Sequence, residues 1–105
     1  MSSDPADDQA IRHVVVRGDV QGVGFRAWTE YTALARGLEG WVRNRRDGSV
    51  EAVFAGSTET VAAMIEACCH GPRGARVEAL DQRAGTPDDL ALRRPGELFS
   101  VLPTA

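Results

Sequence analysis

The sequence predicts an α+β fold in which two helices cover one face of a mainly antiparallel sheet. Three observations predict it. Apolar spacing switches between strand-like and helix-like periods in the order β-α-β-β-α-β, with a short extra strand at the end. Glycine or proline marks most of the switches. A hydrophobic content of 43% in 105 residues is enough for one domain with a single two-layer core.

The first strand is expected over residues 11–17, where Val14, Val15 and Val16 form an apolar run suited to a central, buried position. A helix follows over residues 24–36. Ala27, Tyr31, Leu34 and Leu38 fall at helical spacing, Trp28 and Ala35 flank them, and Gly37 ends the segment as a left-handed C-terminal residue. Residues 38–44 and 49–55 read as a hairpin around Arg45, Arg46, Asp47 and Gly48, with Asp-Gly suiting the turn. Ser57 is placed to cap a second helix, whose core stripe is Val61, Met64, Ile65 and Cys68; Gly71 and Pro72 stop it. Residues 75–83 form a fourth strand, residues 84–96 a loop rich in Gly, Pro and Asp, and residues 98–102 a last strand. Pro103 sends that strand to an edge. This order is the ferredoxin-like split β-α-β sandwich, βαββαβ plus a fifth strand. The helices are expected to cover the sheet with Trp28, Tyr31, Leu34, Met64 and Ile65.

Charge and cysteine content narrow the function classes. The formal net charge is −3, but Asp4, Asp7 and Asp8 fall in residues 1–9, read as a disordered acidic tail. The remaining twelve acids equal the twelve bases, all of them arginine. Residues 10–105, the folded domain, thus carry no basic footprint for nucleic acid or membrane. No apolar run spans a bilayer and no secretory signal is present, so a cytoplasmic, monomeric protein is expected. Cys68 and Cys69 are adjacent, so Cys68 is read as a core residue and neither as part of a disulfide or metal site. His13 is expected on an exposed strand position, and His70 at a helix end.

The chemistry concentrates after the first strand. Gly18, Gly22 and Gly24 punctuate a loop that leads to Arg26 at the start of the first helix. Inward-turned loop amides, a helix N-terminus and a planar guanidinium together suit a phosphoryl or carboxylate group. In the expected topology the third strand lies between the first and second. The first and second strands then run the same way and end at the same side of the sheet. That brings Arg26 and Asn44 within about 10 Å of each other at their origins, and selects Asn44 among the polar residues.

Three segments carry a resemblance to a known family: the run Gly18-Asp19-Val20-Gln21-Gly22-Val23-Gly24-Phe25-Arg26, then Gly40-Trp41-Val42-Arg43-Asn44, then Asp47-Gly48-Ser49-Val50-Glu51. Together with Gly71, Pro72, Ala75 and Val77, they resemble the acylphosphatase signature over about residues 11–102. The resemblance implies hydrolysis of the carboxyl-phosphate bond of small acyl phosphates, without metal or cofactor. It implies that Arg26 and the backbone amides of Val20, Gln21, Gly22, Val23, Gly24 and Phe25 bind the phosphoryl group. Asn44 would position the attacking water, and the substrate's own phosphate would help to accept its proton. Many members carry a small polar residue where this chain has Arg45. Arg43, Arg45 and Arg46 are expected to raise the positive charge nearby and so to favour anionic substrates.

Two other classes compete. A nucleic-acid module of this fold needs aromatic residues on its central strands; the first strand has none and the third only Phe54. A catalytically weak phosphate- or acyl-phosphate-binding accessory module is the alternative, since an acylphosphatase-like segment opens a larger carbamoyltransferase that matures hydrogenases. The absence of following zinc-finger cysteines favours a free-standing enzyme.

Overall fold

Eight elements build the molecule: β1 (Gln9–Asp19), α1 (Phe25–Ala35), β2 (Glu39–Asn44), β3 (Val50–Ser57), α2 (Thr58–Cys68), β4 (Arg76–Ala84), α3 (Pro87–Leu90) and β5 (Phe99–Val101). The computed structural model describes residues 8–105. Most of the acidic tail therefore lies outside the described residues. Its last two positions are held: Gln9 already belongs to β1, and the Asp8 carbonyl accepts a 2.8 Å bond from the Thr58 hydroxyl.

The five strands form one sheet in the order β4-β1-β3-β2-β5. β3 pairs antiparallel with both β1 and β2, so those two run in the same direction. β5 lies at the edge and pairs parallel with β2. Residues alternate across β3 as a two-faced strand requires. Val50, Ala52 and Phe54 meet α1 and α2 together with Val14, Val16, Val42 and Phe99. Cys68 is buried in that layer with Val61, Met64 and Ile65. Burial pushes its thiol up to about 12, so it is an inert core residue.

The phase of α1 differs from the one its apolar spacing suggests. Its buried residues are Phe25, Thr29 and Ala33, whereas Tyr31 is 77% exposed and Leu34 45% exposed. Phe25 is the cause. It is the first helical residue, its ring is buried, and it fills space left by the missing side chain of Gly71, where an added Cβ would sit 2.6 Å from that ring. Anchoring there rotates the helix so that Thr29 faces inward, with its hydroxyl donating to the Phe25 carbonyl at 2.8 Å. Trp28 packs edge-to-face on Phe25, with ring centroids 5.4 Å apart.

The sheet's other face is covered in part by a helix inside residues 84–96, the segment whose Gly, Pro and Asp content predicts a loop. Thr86 and Asp89 form a reciprocal capping box around Pro87, which makes α3. The Trp41 indole donates to the Asp89 carbonyl at 2.7 Å, above a small core of Trp41, Val53 and Leu102 with Ile11 and Leu90 at its margin. Beside it, Glu51 accepts from His13 at 2.7 Å and from Arg43 at 2.6 Å, and Arg43 also lies 4.7 Å over the Trp41 ring. His13 is therefore a half-buried member of a charge network, not the exposed strand residue expected, because β3 places Glu51 on its side of the sheet.

Burial pushes the Glu51 carboxyl up, but the bonds from His13 and Arg43 outweigh it and hold the group below its ordinary value of 4.5. A carboxyl lowered on folding gives stability that is complete above its unfolded value and is lost as pH falls through the folded one. The urea midpoint of the wild type should therefore fall more steeply than that of Glu51→Gln between about pH 5 and about pH 3. Parallel slopes would show that this network contributes nothing to acid sensitivity.

Candidate functional site

The loop between β1 and α1 begins at an irregularity in the sheet. The β1–β4 register shifts between Arg17 and Gly18, and an added Cβ at Gly18 would stand 2.2 Å from the Arg76 carbonyl oxygen. Beyond it, Val20 and Phe25 are both buried and fix the two ends of the loop in the core. Between them Gly22 and Gly24 adopt φ of 77° and 79° in open space, so glycine is required there by conformation and not by crowding. Left-handed positions alternating with ordinary ones are the backbone pattern of anion-binding concavities. Gly24 is also the N-cap of α1 and has no side chain to close it, which leaves the first helical N–H groups facing outward.

The loop is tied to the β2–β3 hairpin by one side chain. The Gln21 amide donates to the carbonyls of Arg45 at 2.7 Å and Ser49 at 2.8 Å. These two residues also close the hairpin, through a bond from the Arg45 N–H to the Ser49 carbonyl at 2.9 Å. Asp47 organises the turn by accepting from the Ser49 N–H at 2.9 Å and its hydroxyl at 2.6 Å. The Ser49 hydroxyl bond leads the causes that hold the Asp47 carboxyl below its ordinary value. Asn44, the last residue of β2, has its carbonyl bonded by the Ala105 N–H at 3.0 Å.

A cavity of about 340 Å³ opens where these parts meet, a size suited to a small ligand. Of the eight residues singled out from the sequence, Val20, Gln21, Gly22, Gly24, Phe25, Arg26 and Asn44 line it. Val23 does not; its side chain packs against the helix-face core. Neither the Arg26 guanidinium nor the Asn44 side-chain amide makes a hydrogen bond or ion pair within the described residues. Both present unspent polar groups to the same space.

Three further residues line it: Ala27, which the apolar spacing assigns to the core, and Glu30 and Val101, which no sequence motif marks. Glu30 had a local signal, since it follows Arg26 by one helical turn. Val101 had none, because its place depends on β5 running parallel to β2. The expected cluster of arginines is not at the cavity. Arg43 is turned to Glu51 and Trp41, and neither Arg45 nor Arg46 lines the space.

The sequence model of the family described as Acylphosphatase matches residues 12–90. The chain belongs to the acylphosphatase family. It is 60% identical over 96 residues to an acylphosphatase of Bradyrhizobium diazoefficiens, covering 91% of this chain and 97% of that relative. It is 62% identical over 94 residues to one of Rhodopseudomonas palustris, covering 90% and 95%. The structure of an acylphosphatase from Coxiella burnetii superimposes with a TM-score of 0.80 at 28% identity, over 96% of this chain and all of that one. The family fold is thus kept from end to end of the described sheet.

The Gln21 tie has a direct consequence for loop order. Gln21→Ala should raise amide hydrogen exchange across residues 22–25 by about tenfold or more, the loss expected from two uncharged bonds. Gln21→Glu should be worse, since a carboxylate would face two carbonyl oxygens. Unchanged exchange in both variants would show that the loop holds its shape without the hairpin.

Proposed function

We propose that this protein hydrolyses the carboxyl-phosphate bond of small acyl phosphates, yielding a carboxylate and inorganic phosphate. The observation that carries the reading is the shared cavity. A glycine loop, a guanidinium and a carboxamide converge there, and the last two are without internal partners. Membership of the acylphosphatase family supports it.

The chemistry asks little of the protein. A carboxylate is a good leaving group and needs no acid to depart. The tasks left are to hold the phosphoryl group, offset charge on its oxygens and aim a water at phosphorus. In this reading Arg26 binds two phosphoryl oxygens as a planar fork, and the N–H groups of residues 20–25 supply the remaining donors. Asn44 holds the water through its side-chain amide. The water oxygen bonds to phosphorus, the bond to the acyl oxygen breaks, and the water proton passes to a phosphoryl oxygen. Arg26 carries the charge compensation and the leaving group needs none, so the reading is of a metal-independent hydrolase. All the groups come from one chain, so a monomer suffices. Among the described residues no helix is long and apolar enough to cross a membrane.

Continuous hydrolysis of benzoyl phosphate with EDTA present, against a phosphomonoester as control, tests the reading. Turnover of the first alone is expected. Dependence on added metal would contradict it, and phosphate binding without turnover would indicate an accessory module. Charge-assisted bonds contribute roughly 1.5–3 kcal/mol each, so losing a bidentate pair should lower kcat/KM by about a hundredfold to ten-thousandfold in Arg26→Ala. Arg26→Lys should do little better, since an ammonium cannot reproduce the fork. Asn44→Ala should lower kcat by about a hundredfold while inorganic phosphate still binds within about threefold of wild type. Equal losses in both would make Asn44 a binding or structural residue.

A further inference from the structure

We propose that Glu30 selects the acyl half of the substrate, disfavouring acyl groups that carry a negative charge and favouring those with a cationic or hydrogen-bond-donating substituent. This rests on the acyl phosphate reading above and adds a substrate class to it. The cavity wall divides into two parts. One is the glycine loop with Arg26 and Asn44, which suits the phosphoryl group; the other is Ala27, Glu30 and Val101. A phosphoryl group seated at the first part directs the acyl group it carries along the second.

Among the described residues, Arg26 and Glu30 are the only charged side chains that line the cavity. They lie four residues apart on α1, yet they form no ion pair with each other. Glu30 makes no other hydrogen bond or ion pair among the described residues either. The residue is half-buried, and its carboxylate has no partner among the described residues. Once phosphoryl oxygens have offset Arg26, the field over the acyl end is that of Glu30. None of the arginines at positions 43, 45 and 46 lines the cavity, and Arg43 is already paired with Glu51. The sign of the preference is therefore the reverse of the one the sequence suggested.

The expected size follows from Coulomb's law. One unit charge about 7 Å from the carboxylate, at an effective dielectric of about 50, changes binding about fivefold, so exchanging a cation for an anion changes it about twenty-fivefold. The test compares para-(aminomethyl)benzoyl phosphate with para-carboxybenzoyl phosphate in wild type and Glu30→Gln, with benzoyl phosphate as the neutral reference. The readout is the ratio of kcat/KM for cationic over anionic substrate within each protein, so a general change in activity cancels. The ratio should exceed about ten in the wild type, fall towards one in Glu30→Gln, and shrink as salt is added. A wild-type ratio near one, or the same ratio in both proteins, would overturn the assignment. The corresponding para-substituted benzylphosphonates, which cannot be hydrolysed, give the same comparison by calorimetric binding. Failure to hydrolyse benzoyl phosphate would sink the reaction, whereas equal phosphonate affinities would sink the role of Glu30.

Discussion

β3 is the constraint on which the rest of the molecule depends. Residues 50–55 are buried on both faces of the sheet, the even positions against α1 and α2 and the odd ones, Glu51 and Val53 among them, on the side of Trp41. A strand buried in this way must satisfy its backbone on both sides, and it does so by pairing antiparallel with β1 and β2. The two neighbours are then obliged to point the same way. Their carboxyl ends emerge together, one into the glycine loop and Arg26, the other at Asn44. The cavity is a consequence of strand pairing before it is a consequence of any polar contact.

The polar contacts then decide how firmly the two halves are set. Val20 and Phe25 hold the loop by burial, and the Gln21 amide holds it to the hairpin by hydrogen bonds. Burial gives position without direction, whereas the two carbonyls on Gln21 are directional. What this frame leaves unpaired is as informative as what it pairs. Among the described residues, polar side chains buried elsewhere are satisfied, including Glu51 between His13 and Arg43, while Arg26, Asn44 and Glu30 meet an open space with their bonding capacity unused. Unspent donors and one unspent carboxylate at a single cavity suit a ligand with an anionic end and a differently charged body.

Much of this was legible in the chain. The strand order, the hairpin and the approach of Arg26 to Asn44 all follow from apolar periodicity and the ferredoxin-like connection. The failures have local causes. Phe25 lies in the first turn but off the apolar stripe of Ala27, Tyr31 and Leu34 that sets the expected phase of α1, and Tyr31 and Leu34 face solvent. The sequence Thr86-Pro87-Asp88-Asp89 is a capping box, but it sits in a segment so rich in turn residues that composition predicts a loop there. His13 meets a partner 38 residues away, which only the β1–β3 register could supply. Arg43, Arg45 and Arg46 were judged by nearness in sequence to Asn44, yet alternation along β2 sends Arg43 to the far face.

Phosphate titration followed by nitrogen–proton NMR bears most directly on the meeting of Arg26, Asn44 and the loop amides around one anion. Inorganic phosphate should shift the backbone amides of residues 21–25, the Arg26 side-chain Nε–H and the Asn44 side-chain amide along curves that share one dissociation constant. Shifts confined to other arginines, or loop amides that stay still while Arg26 moves, would contradict it.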